Sequence, residues 1–192
     1  YGHNGQPPQH MRPDARLQQA HCRALADTAE AEARAESEIE FAARNGISIL
    51  CMGSEDYPQR LKECADAPLV LFYKGTARLN RMRVINIVGT RHCTAYGQDC
   101  IHSFVKDLSA MCPDVLIVSG LAYGVDICAH REALANGLEH GGRTGSRIRT
   151  ISIRHATATQ ADKMLTQGGL LTEFFSNTKC RQAQFPAPQP HR

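Results

Sequence analysis

The sequence predicts an α/β protein built on a doubly wound parallel sheet, and three observations carry that prediction. Residues 83–89 (R-V-I-N-I-V-G) are an apolar run ending on a glycine, and residues 96–111 then place Ile101, Phe104, Val105, Leu108 and Met111 at helical spacing. Residues 114–120 (D-V-L-I-V-S-G) repeat the pattern, followed by a glycine-containing turn at 121–126 and a helix through Leu134. Strand, glycine turn and helix, twice in succession, are what parallel strands joined by right-handed crossovers require, with helices packed on the sheet. The length agrees, since 192 residues suit one domain of ordinary size, or a domain plus a fragment.

The flanking elements follow from local chemistry. Residues 1–20 are polar, contain proline and begin without Met, so residues 1–35 are expected to be a ragged segment with little order. From about residue 24 to 45 the chain is rich in Ala and Glu and closes on Asn45 and Gly46, a helix followed by its stop signal. Residues 47–52 read as a short strand. A turn at 56–58 leads into one or two helical turns near 60–63, Pro68 breaks them, and 69–73 form a second strand.

Composition narrows the class. A 42% apolar and 21% charged chain is neither a disordered tail nor a collagen nor a coiled-coil rod. It contains no apolar run of membrane-spanning length and opens on no charged-then-apolar leader, so a cytoplasmic location and no membrane partner are expected. The eight cysteines form no C-x-x-C pair, which points to reduced thiols rather than a zinc site or a disulfide scaffold, and no metal or cofactor is expected.

In a doubly wound sheet, ligands sit at the carboxyl ends of the strands, where helix amino termini present unpaired N–H groups. Gly89 and Gly120 lie at those ends. The turn Gly89, Thr90, Arg91 adds a hydroxyl and a guanidinium, a combination suited to phosphate. The turn from Ser119 to Asp126 places Gly120 and Gly124 where the backbone bends or approaches something closely. Many such glycines serve only to make the turn. Neither turn is G-x-G-x-x-G or a P-loop, so dinucleotide and triphosphate binding are poorly supported. His130, one turn into its helix, is more often a packing residue than a base. Cys128 lacks the partners of a metal site or a nucleophile. Thr172 and Glu173 have the look of a strand end facing the same edge, where Glu173 would orient a partner or cap a helix.

These residues carry a resemblance. D-Y-P-x-x-L at 56–61, D-A-P-L-V-L-F-Y-K-G at 66–75, I-V-G-T-R at 87–91, V-S-G-L-A-Y-G-V-D at 118–126, A-H-R-E-A-L at 129–134 and Q-G-G-L-L-T-E-F at 167–174 resemble, in order and spacing, the DNA-processing protein A (DprA/Smf) family. The likeness covers roughly 36–137 and 159–178, and 36–178 are read as one domain. It implies an extended Rossmann-like fold that binds single-stranded DNA and delivers it to the recombinase RecA in natural transformation, without being an enzyme. It also implies phosphate contacts from Gly89, Thr90, Arg91, Ser119, Gly120 and Gly124, supported by Asp126, His130, Thr172 and Glu173. Tyr123 is a candidate for base stacking, with packing the more ordinary role. The competing readings are a Rossmann-type phosphoribohydrolase-like enzyme, which Gly168 to Glu173 match only superficially, and an inactive fragment.

The resemblance breaks at 139–149 and at 179–192. Family members have an apolar strand of the type T-V-G-V-L-A-H-G-L-D at the first place and a Phe followed by R-N-R beyond. Here 139–149 are basic and Gly-rich, unlike a buried parallel strand. The chain is therefore expected to lack its third core strand, to be truncated at its carboxyl end, and to lack the part through which family members form homodimers. An exposed sheet edge, poor folding and weak DNA binding would follow. Synonymous codons exist for both segments that, displaced by one base, read N-T-V-G-V-L-A-H-G-L and N-A-D-R-H-N-F-L-R-R-N-R-I, which suggests slips of the reading frame near Leu138, Thr150 and Lys179. The two segments carry +2 and +3 of the formal +3, leaving −2 for the remainder, so overall charge is no argument for nucleic acid.

Overall fold

The computed structural model describes residues 28–143 and 158–176. The chain forms two compact units, Tyr1–Glu38 and Ile39–Arg192. Helix α1, Ala29–Arg44, carries Glu30 and Glu32 in its first turn and Arg44 in its last, the arrangement that complements the helix dipole. Its stop is the predicted one: Gly46 takes φ 62°, and the Ile47 N–H returns to the Ala42 carbonyl at 2.9 Å.

Strands β1 (Ser48–Cys51) and β2 (Val70–Gly75) pair antiparallel. Between them runs a short 3-10 helix, Gln59–Glu63, entered through Pro58. Tyr57 is fully buried there and donates its hydroxyl to the Pro68 carbonyl at 2.6 Å. The parallel part follows as β3 (Val84–Asn86), α2 (Ala95–Met111), β4 (Leu116–Ser119), α3 (Val125–Ala135), β5 (Glu139–Arg143), α4 (Ala158–Gln167) and β6 (Gly168–Thr172). Six strands lie in the order β1-β2-β6-β5-β4-β3, with β3, β4, β5 and β6 mutually parallel and β2 antiparallel to β6.

One face of the sheet is covered by helices. Val105 of α2, Val115, Ile117 of β4, Ala133 of α3 and Leu138 form one apolar cluster, and Ala42, Ile47, Phe72, Met164 and Leu170 form a second beside it. On the opposite face, Leu50, Tyr57, Leu71 and Tyr73 pack together. Next to them lies a cavity of about 500 Å³, lined among others by Leu71, Leu116, Val118, Gly141, Gly169 and Leu171.

The expectation that residues 139–149 cannot supply the third core strand is corrected by the structure. Residues 139–143 are β5, hydrogen-bonded between β4 and β6 with Ile117 opposite His140 and Gly141 opposite Gly169. Ladder hydrogen bonds are made by the backbone, so a strand flanked on both sides forms without apolar side chains, provided its polar groups find partners. They do. Glu139 takes a two-pronged ion pair from Arg81 (2.9 and 2.7 Å) and the Arg78 N–H at 3.2 Å. That pair holds its carboxyl below the usual carboxylate range. His140 meets His130 across the sheet face. Leu121 and Leu170 lie over Gly142, where even a Cβ would approach Leu121 Cδ2 to 2.9 Å. Only Gly141 leaves its space unfilled, and that space is part of the cavity. The sheet is thus continuous through the position where a gap was expected. Residues 144–149 and 179–192 lie outside the described residues. Helix α4, which the sequence reading does not anticipate, brings Gln167 to the end of α3, where its amide donates to the Ala133, Leu134 and Leu138 carbonyls at 3.0–3.3 Å.

Candidate functional site

Because β3, β4, β5 and β6 run parallel, their carboxyl ends share one edge of the sheet, and most of the residues singled out in the sequence gather there. The first turn leaves β3 through Ile87 and Val88 to Gly89, Thr90 and Arg91, all three of the latter exposed. It enters α2 through Thr94, whose hydroxyl accepts the Gly97 N–H at 3.1 Å. The second leaves β4 through Ser119 and enters α3 at Gly124. The two turns are bound to each other: the Val125 N–H donates to the Thr90 carbonyl at 3.1 Å.

Close approach explains both bounding glycines. A Cβ on Gly89 would come within 2.6 Å of the Val125 side chain, and one on Gly124 would overlap the backbone of Thr90 and Arg91. Gly124 also has φ 90°, a conformation that L side chains disfavour. These glycines therefore bring two strand–helix turns into contact, and the joint presents Thr90 and Arg91 outward. The Thr90 hydroxyl donates to the His92 carbonyl at 2.7 Å and stiffens the turn.

Other predicted residues have inward duties. Ser119 is buried, and its hydroxyl donates to the Ile87 carbonyl at 2.6 Å, tying β4 to β3 rather than facing the open side. Asp126 is buried and accepts the Ala122 N–H at 3.3 Å, closing the second turn; its carboxylate also sits in the first turn of α3. The first turn of α2 carries no acidic residue, so of the two helix amino ends the one beside Arg91 is the better place for an anion.

His130 is a packing residue, in keeping with the commoner reading of its position. It is buried and donates from Nε2 to the Gly120 carbonyl at 2.8 Å. That bond leaves Nδ1 as an acceptor for the Nδ1–H of His140, 3.0 Å away, so both rings are held neutral in defined tautomers. His140 Nε2 is then a buried lone pair with no partner among the described residues. Burial pushes the His130 imidazole below its ordinary value, and burial with the neighbouring His130 pushes His140 down to about 3. The Cys128 thiol is raised by burial, the opposite of what a nucleophile needs. Among the described residues no group of His, Cys, Asp and Glu could hold a metal.

At the far end of the same edge, Thr172 is buried at the end of β6 and accepts the Phe174 N–H at 3.2 Å. Glu173 is exposed and meets Arg143 of β5 at 3.4 Å. Three strand spacings, about 14 Å, separate β6 from β3, so Glu173 and the Arg91 turn share an edge without touching. Arg143 is a cation on this edge that sequence reasoning missed. Its only signal was its place at the end of an apolar strand in the resembling family, and the composition of 139–149 obscured it.

Comparison with known proteins bears on the family and the fold. The family model for DNA recombination-mediator protein A matches residues 48–188. The DNA processing protein DprA of Bacillus subtilis is 34% identical over 151 residues, covering 73% of this chain and 47% of its own length. That of Streptococcus pneumoniae is 39% identical over 98 residues, covering 51% of this chain and 33% of its own. Among solved structures, the X-ray structure of DprA from Streptococcus pneumoniae superposes with a TM-score of 0.61 at 28% identity over 71% of this chain and 47% of that one. DprA from Helicobacter pylori, described for its single-stranded DNA binding mode, gives 0.57 at 23% over 71% of this chain and 59% of that one, a likeness of fold. The chain thus spans half or less of the length of these curated relatives. With the α/β sheet, the ordered motifs and the match over 48–188 in agreement, the chain belongs to the DNA recombination-mediator protein A family.

Proposed function

We propose that this chain is a single-stranded DNA-binding module, acting in the cytoplasm, that holds the phosphate backbone at the Arg91 turn and serves DNA processing by passing the strand to RecA. It acts as a binder and not as a catalyst. The observation that carries the reading is the joint between the two glycine turns. It fixes the backbone of the exposed residues Thr90 and Arg91 just ahead of α2, whose first turn holds no competing carboxylate. Such a site takes phosphate through charge-assisted hydrogen bonds and the helix dipole. Relatives that carry the name DNA processing protein, and one described for its single-stranded DNA binding mode, support the choice of ligand.

The test is binding of a labelled dT oligomer, followed by fluorescence anisotropy at several salt concentrations. Each phosphate neutralised contributes about 0.7 to the log–log salt slope for a single strand. Arg91→Ala is expected to weaken binding and to flatten the slope by about one such increment. Binding that is insensitive to salt and to Arg91→Ala, or tighter binding of free nucleotide than of the oligomer, would refute the reading.

A further inference from the structure

Two tyrosines stand clear of the core on either side of the Arg91 turn. Tyr96, in the first turn of α2, is 78% exposed, and Tyr123, in the turn that ends at Gly124, is 63% exposed. Neither belongs to any of the three apolar clusters, although packing is the ordinary role for a tyrosine in such a turn. Val88, at the end of β3, is similarly exposed. A single exposed apolar side chain needs no explanation, whereas three in the two turns that meet at Arg91 invite one.

The joint sets their relation. Tyr123 precedes Gly124, which packs on the backbone of Thr90 and Arg91, so it leaves the chain immediately beside Arg91. Tyr96 follows Arg91 by five residues and stands in the first turn of α2, with an interaction of its hydroxyl with Cys100 raising its pKa. Both residues therefore belong to the two turns that meet at Thr90 and Arg91, where a phosphate would sit.

We propose that Tyr96 and Tyr123 are stacking platforms for the bases of a single strand whose phosphate rests on the Arg91 turn. This rests on the DNA-binding reading above and adds to it the groups that take the bases. Every base has a π-face, so two rings beside one cation select for single strands without selecting sequence. A guanidinium next to the rings favours this occupant over a protein surface, because it meets the phosphate that each base brings with it.

The experiment compares a dT oligomer with an abasic oligomer of equal length on the full chain and on Tyr96→Leu, Tyr123→Leu, Tyr96→Phe, Tyr123→Phe and Arg91→Ala. Leucine keeps apolar area and removes the π-system, whereas phenylalanine keeps it. Each Leu variant is expected to weaken dT binding by about five- to 150-fold and to leave abasic binding unchanged, with the Phe variants near the parent. Leu variants that match the parent on dT, or lose dT and abasic strands equally, overturn the stacking proposal while the Arg91 effect keeps the DNA reading. A parent that binds neither strand overturns both.

Discussion

Replacement of His140 by asparagine tests the buried imidazole pair and, with it, the reality of β5. In the structure His130 donates to the Gly120 carbonyl and His140 donates to His130, so a proton on His130 would break the bond between the rings, and one on His140 Nε2 would be a buried charge without a partner among the described residues. Both imidazoles have folded pKa values below the unfolded value of about 6.5. The native state therefore binds fewer protons than the unfolded chain, so stability is full above pH 6.5 and falls as the pH drops below it, levelling only near the folded value. For His140, with a folded value of about 3, the loss at pH 5 relative to pH 8 is about 2 kcal/mol, and His130 adds in the same direction. Asparagine presents an amide N–H where His140 presents Nδ1–H and does not titrate. Urea unfolding of parent and His140→Asn at pH 8, 6.5 and 5 should then show that the variant loses about 2 kcal/mol less than the parent between pH 8 and pH 5. An identical pH dependence in the two proteins would refute the pairing and would mean that residues 139–143 do not place His140 against His130.

The glycines of β5 and β6 should respond in opposite directions. A Cβ at Gly141 meets only Val118 Cγ2 at 3.8 Å and faces the cavity, so Gly141→Val is expected to stabilise the fold by about 1–2 kcal/mol in the same urea titration. Gly168→Ala, whose Cβ would overlap the His140 carbonyl, is expected to destabilise it by more than 1 kcal/mol. The frame-slip proposal is read directly from the nucleotide sequence. The displaced frame places valine at position 141, where there is space, and keeps glycine at 142, where Leu121 and Leu170 leave none. A gene whose neighbouring frame does not encode N-T-V-G-V-L-A-H-G-L across these codons would remove that proposal.

The fold class, and the sheet edge on which the candidate residues lie, were legible in the sequence because both depend on local pattern. Apolar runs ending at Gly89 and Gly120 and the helical spacing from Ile101 to Met111 sufficed to place β3, β4 and α2, and the parallel order put the Arg91 turn at the ligand edge. What only the tertiary structure decided was the use of each residue. Ser119 and Asp126 look like ligands in a motif and are spent on backbone partners, a choice made by the neighbouring strand and turn. Tyr123 is exposed, a placement its residue type does not announce. Residues 139–143 carry none of the apolar pattern of a buried strand, and they form β5 because β4 and β6 offer backbone partners on both sides while Arg81, His130, Leu121 and Leu170 satisfy or cover its side chains. Sequence pattern records what a segment prefers by itself, whereas a central strand is held by the hydrogen bonds and side chains of residues up to sixty positions away.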